Sequence, residues 1–229
     1  MADQKVSNER KKELEKLDSF QENLLKTMAC AKQYKKQLIL IAGAVVLLVM
    51  VFSGVMYSFQ KAENSSARLV NKALKKYVDT KDPDKGYAQV KDDFQLIFTD
   101  YTNTVAGRQA KVKFAKICYD ASKFDQSYQY YKEALDIFDD EALMENLLLA
   151  SLGHVCLAQK KFDEAEKYFL QIEKGKTDLL KDEARYTLAM LYETDNNAVE
   201  SKKMYEKIVT EYENSMYKPV AQSKIAEMK

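Results

Sequence analysis

The chain has 229 residues, with 36 Lys and Arg against 35 Asp and Glu, a formal charge of +1. That balance gives no electrostatic argument for nucleic acid or for an acidic substrate. Six glycines and two prolines in a chain that is 31% charged describe a helical protein with few turns. One histidine, His154, excludes a His-rich metal site and leaves no Ser/His or Cys/His pairing for nucleophilic catalysis. The scattered glycines form no phosphate-cradling loop. The sequence therefore predicts no enzyme, cofactor or metal.

Residues 1–36 carry nine Lys/Arg and six Asp/Glu. Leu14, Leu17, Leu24 and Met28 fall near helical spacing, so an amphipathic helix is expected over 8–34. Two readings stand: a solvated juxtamembrane helix, or a helix for docking or self-association.

No other window of the chain approaches the hydrophobicity of Gln37–Ser58. Between Lys36 and Lys61 lie 24 residues without a charge. As a helix they extend about 36 Å, against a hydrocarbon core of roughly 30 Å. The run begins too late and is too long for a cleaved leader. It reads as a retained single-pass anchor over residues 37–58, with a tail over 1–36 and an aqueous domain over 62–229. Lys26, Lys32, Lys35 and Lys36 precede it and Lys61, Arg68 and Lys72 come after it. A short lysine-rich tail favours a cytoplasmic N-terminus with the domain outside.

A helix is expected from Ala62 to Thr80, ending at the turn Thr80–Gly86 with its proline and glycine. Beyond it the sequence repeats. FQLIFTDYTNT at 94–104 aligns with YEKIVTEYENS at 205–215, an offset of 111 residues or three units of 37. KFDQSYQYYKEAL at 123–135 and KFDEAEKYFLQI at 161–172 fall between them, 38 apart. Val90, Ser127, Ala165 and Ser201 are then equivalent, as are Phe94, Tyr131, Phe169 and Tyr205. Phe114-Ala115, Leu152-Gly153, Leu188-Ala189 and Ile225-Ala226 recur at spacings of 38, 36 and 37. Small residues at such fixed places let helix backbones approach to about 8–10 Å. Each helix pair buries its apolar side against the next. Cys118 and Cys156 are equivalent in this frame and read as small buried packing residues rather than a disulfide.

Leu149, Leu152, Gly153, Cys156, Ala165, Phe169 and Ile172 follow a pattern that resembles the tetratricopeptide repeat. The resemblance covers residues 65–229, with a degenerate first unit, three clear ones and a closing half-unit. The units are longer than usual and lack turn prolines except Pro83 and Pro219. It implies an all-α solenoid of helix pairs that binds proteins or peptides on its concave surface. By register that surface takes Val112, Lys116 and Tyr119, then Leu147, His154 and Leu157, then Tyr186, Met190 and Glu193. Tyr186→Ala and Met190→Ala are expected to weaken partner capture while leaving melting nearly unchanged. In the alternative, Leu147 and Leu157 merely pack against the poorly matched first unit.

Asn146–Gln159 has no charge over 14 residues, which implies burial on every side or a patch that another molecule covers. The layout of tail, anchor and outward repeat domain resembles the bacterial YfgM-type family. That resemblance implies a non-catalytic inner-membrane scaffold that meets the Sec translocon, periplasmic chaperones and secreted clients. The competing reading is a structural or regulatory membrane protein that self-associates as a homo-oligomer through its repeat domain, or an envelope-assembly factor. A eukaryotic organelle protein of the same layout is a third, and Asn64-Ser65-Ser66 is a formal glycosylation sequon.

Overall fold

The structure, a computed structural model, describes residues 19–228 and is all-α, with no strand among the described residues. The chain divides into two units, Met1–Ser58 and Phe59–Lys229.

In the first unit, α1 (Ser19–Gln33) leads through a turn at Tyr34 into α2 (Lys35–Asp79). Leu24 and Met28 are exposed on α1, as are Phe20 and Leu25. Leu14 and Leu17, the other two positions of the expected amphipathic face, lie outside the described residues. The apolar part of α2 is exposed throughout, and it is the one described helix long and apolar enough to cross a membrane. The separate helix expected over 62–80 is the continuation of α2. No proline or glycine stands between Val55 and Asp79 to stop it.

The second unit is a run of antiparallel helix pairs. The last stretch of α2 pairs with α3 (Pro83–Asp100), α4 (Val105–Asp120) with α5 (Phe124–Ile137), α6 (Ala142–Ala158) with α7 (Phe162–Lys174), and α8 (Lys181–Thr194) with α9 (Ala198–Glu211). The closing half-pair is α10 (Lys218–Glu227). The residues aligned by register form the core: Phe94, Ala134, Phe169, Tyr205 and Ile208 are all fully buried. Gly153 shows why a small residue recurs at the crossing of each pair. A Cβ there would come within 2.6 Å of the Phe169 ring.

Turns within pairs share one chemistry. Ser122, Lys160 and Asn196 adopt left-handed φ of 56°, 61° and 56°. Behind them Lys123, Lys161 and Asn197 donate backbone N–H groups to the carbonyls of Cys118, Cys156 and Tyr192, each at 2.8 Å. These bonds satisfy carbonyls that the helix end leaves free.

Turns between pairs gather on the opposite edge. Thr104 caps α4 by accepting from the Gly107 N–H at 2.9 Å, and donates to Tyr101 O at 2.7 Å. The Glu63 carboxylate accepts from the Val105 and Ala106 N–H groups at 2.7 and 2.9 Å. A carboxylate at a helix N-terminus meets both the free donors and the positive end of the dipole.

The uncharged run of α6 that follows Glu145 is mostly covered within the unit. Leu148, Leu149, Leu152, Val155 and Cys156 are buried between the central and C-terminal clusters, leaving Leu143 and Leu147 as its exposed apolar residues. Cys118 and Cys156 are both free and buried, as packing residues are.

Candidate peptide-binding face

The leading helices α4, α6 and α8 lie side by side, and one face of each is free of its return helix. Lys116, Tyr119 and His154 come together there around an open depression of about 210 Å³, floored by Tyr131 and flanked by Ser151. Lys116 forms an ion pair with Asp120 one turn on, and its ammonium stands 5.8 Å from the Tyr119 ring. Tyr119 is itself held edge-on against Phe124, ring centroids 5.6 Å apart. Burial pushes the Tyr131 phenol up to about 12, so it stays neutral at physiological pH.

His154 links the depression to the next helix. Its Nε2 lies 2.7 Å from Glu183 Oε1 on α8, and its ring meets Phe169 edge-on at 5.3 Å. A histidine with one nitrogen on a carboxylate and its ring on a buried phenylalanine is a packing and bridging residue. No group of three or more His, Cys, Asp or Glu among the described residues could hold a metal.

On α8 the three expected residues divide. Met190 is exposed on the face. Tyr186 is stacked on Tyr217, centroids 4.7 Å apart and planes 20° apart, and also packs near Tyr205. Its truncation therefore removes packing, which runs against the expectation of unchanged melting for Tyr186→Ala. Glu193 accepts from the Lys224 ammonium at 3.0 Å, which ties α8 to α10.

Besides these three on α8, three further expected residues stand apart from the depression. Val112 and Leu157 are half-buried, Val112 against the central cluster and Leu157 against the C-terminal one. Leu157 thus packs towards the end of the solenoid, away from the first pair, because its side of α6 faces α7 and α8. Leu147 is 41% exposed. Ser151 and Glu183 were missed by the sequence reading. Ser151 precedes His154 by three and Glu183 precedes Tyr186 by three, so the helical period of the named residues already pointed to both.

Residues 32–229 match the family described as "Tetratricopeptide repeat-like domain". The chain belongs to that family. Tetratricopeptide repeat-like domains are protein-interaction scaffolds and typically non-catalytic. In fold the chain is similar to the crystal structure of BtubC (BKLC) from P. vanneervenii, with a TM-score of 0.50 at 12% identity, over 74% of this chain and 82% of that one. No curated protein matches it.

Proposed function

We propose that this protein is a non-catalytic, membrane-tethered adaptor whose concave face holds segments of other proteins at the outer face of the inner membrane. The observation that supports it is the shared face of α4, α6 and α8. Aromatic, aliphatic and Met side chains there sit beside a lysine and a histidine–carboxylate pair, a mixture suited to adaptable peptide recognition. On this reading Val112, Lys116, Tyr119, Leu147, His154, Leu157, Tyr186, Met190 and Glu193 line or support the binding face. Residues 37–58 span the bilayer, with 1–36 in the cytoplasm and 62–229 in the periplasm.

The YfgM-type resemblance puts the adaptor beside the Sec translocon, with periplasmic chaperones and emerging envelope proteins as partners. A tether confines the face to a thin layer and raises its effective concentration towards such partners. The self-associating alternative is less favoured on this reading, since α6 buries most of its apolar residues within the chain and leaves Leu143 and Leu147 exposed.

The test places a photoreactive side chain at Met190 in the full chain in its native membrane. Adducts with translocon subunits, chaperones or secreted chains, reduced by Lys116→Glu, support the adaptor. Adducts only between copies of this chain would refute it. Protease protection of tagged termini decides the orientation separately.

A further inference from the structure

Val105, Leu143, Leu179 and Met216 are spaced by 38, 36 and 37 residues, the same intervals that relate the buried Phe114, Leu152 and Leu188 and the half-buried Ile225. Each stands nine residues before its core counterpart, at or just before the start of a leading helix. Unlike that core they face solvent, at 50%, 62%, 40% and 79% exposure. A single exposed apolar residue needs no explanation, but one per pair in register forms a row.

This edge is stitched from pair to pair. The Thr104 and Ser66 hydroxyls share a hydrogen bond at 3.0 Å, Asn146 Nδ2 donates to Thr177 Oγ1 and Leu179 O at 2.8 Å, and Ser215 Oγ donates to Asp182 at 2.6 Å. The turns Tyr101–Thr104, Phe138–Glu141, Gly175–Leu180 and Tyr212–Tyr217 hold Asp139, Asp140, Glu141, Asp178 and Glu213 with one lysine, Lys176, while Lys181 at the start of α8 pairs with Asp178 at 3.7 Å. All five carboxylates are on exposed residues. Turns on the other edge, Thr80–Asp82, Ala121–Lys123, Gln159–Lys161 and Asp195–Asn197, carry four lysines and two aspartates.

Chain length fixes where the row sits. Glu63 binds the N-terminus of α4 at Val105, and Glu63 lies five positions after Ser58, the end of the apolar stretch. Five residues span at most about 18 Å even fully extended. The inference rests on reading 37–58 as a membrane anchor, and on that reading Glu63, and with it the Val105 end of the row, is tethered within about 18 Å of the end of the span.

We propose that this edge docks a basic amphipathic helix presented by a partner protein at the membrane surface. With Asp178 paired to Lys181, the remaining four carboxylates against Lys176 repel an anionic lipid surface, and repel a second copy of the same edge equally. They attract a segment rich in Lys and Arg. Neighbouring leading helices lie on the order of 10 Å apart. In a partner helix, residues seven apart are separated by about 10.5 Å and share a face. Apolar residues repeating every seven positions over about 20 residues, flanked by lysines or arginines, match the row.

The experiment uses the full chain in its native membrane, with a photoreactive residue at Leu143 or Leu179. Probes at Val199 on the other edge and Met190 on the concave face serve as comparisons. The expected adduct maps to a positively charged segment next to a partner's membrane span, with apolar residues about seven apart. Asp140→Lys with Glu213→Lys should cut its yield at least fivefold. Both residues are exposed, so thermal melting should be unchanged. Lipid adducts, adducts to a second copy, no adduct, or a yield unmoved by charge reversal would each overturn the proposal. Alkaline extraction tests the anchor on its own: release of the chain would remove the tether, whereas the mapped adduct decides the docking edge.

Discussion

At the scale of single residues, burial decides chemistry. Cys118 and Cys156 are equivalent in the repeat and buried, and burial pushes their thiols up to about 12 and about 11, with Glu164 adding to the shift at Cys156. Cys30 is exposed. A thiol reagent applied to the native protein should therefore modify Cys30 alone, and mass spectrometry should find all three modified only in denaturant. Gly153 meets the opposite constraint, space rather than solvation. Its missing Cβ is where the Phe169 ring sits, and Phe169 is fully buried with His154 against its edge. Gly153→Ala should destabilise by about 1–3 kcal/mol in urea unfolding, despite alanine's better helix propensity. Tyr186 and Met190 offer a contrast on one helix. Tyr186→Ala loses the stack on Tyr217 and should destabilise by about 2 kcal/mol, whereas the exposed Met190→Ala should change stability by less than about 0.5 kcal/mol.

At the scale of elements, helix ends do much of the positioning. The four pair turns each place a residue, Lys81, Ser122, Lys160 or Asn196, in the left-handed region where glycine or asparagine would be at ease. Asn196 fits, and Lys160 carries a Cβ penalty. Lys160→Asn should raise the unfolding free energy by up to about 1 kcal/mol, read as a higher urea midpoint with an unchanged slope. The last three of these turns were not legible in the sequence, because glycine is the usual signal and none is there. The Glu63 cap on α4 was equally hidden, since 42 residues separate the acceptor from Val105. Other elements were plain: the period of small and large residues located every leading and return helix from Val90 onwards.

Charge acts at the scale of the whole repeat unit, through contacts between pairs. Arg185, 5% exposed on α8, reaches Glu173 of α7 at 3.5 Å and Glu211 of α9 at 2.6 Å, while Lys207 meets Glu173 at 2.5 Å. Burial alone would raise the Glu173 carboxyl, but Lys207 and Arg185 outweigh it and hold it below the usual 4.5. Burial is likewise outweighed at Glu133 by Lys111. A carboxyl whose folded pKa lies below its unfolded one binds its proton more readily in the unfolded chain. Its contribution is present above the unfolded value near 4.5 and is lost as pH falls through the lower folded value. Thermal melting across pH 7 to 3 should hold steady at first and decline below about 4.5, less steeply in Glu173→Gln.

The sequence by itself determined that this is a chain of helix pairs with one long uncharged stretch, because helical period and repeat length are local properties written in residue spacing. It located Lys116, Tyr119 and His154, which the fold brings around one depression. Only the tertiary structure decided that Leu157 faces the C-terminal cluster, that Tyr186 is locked by Tyr217, and that α6 buries most of its apolar residues within the chain. The same intervals of 38, 36 and 37 mark both the buried row at Leu152 and the exposed row at Leu143. Spacing says that residues are equivalent. Which equivalent set meets water depends on what the neighbouring helices cover, and that is fixed only once they pack.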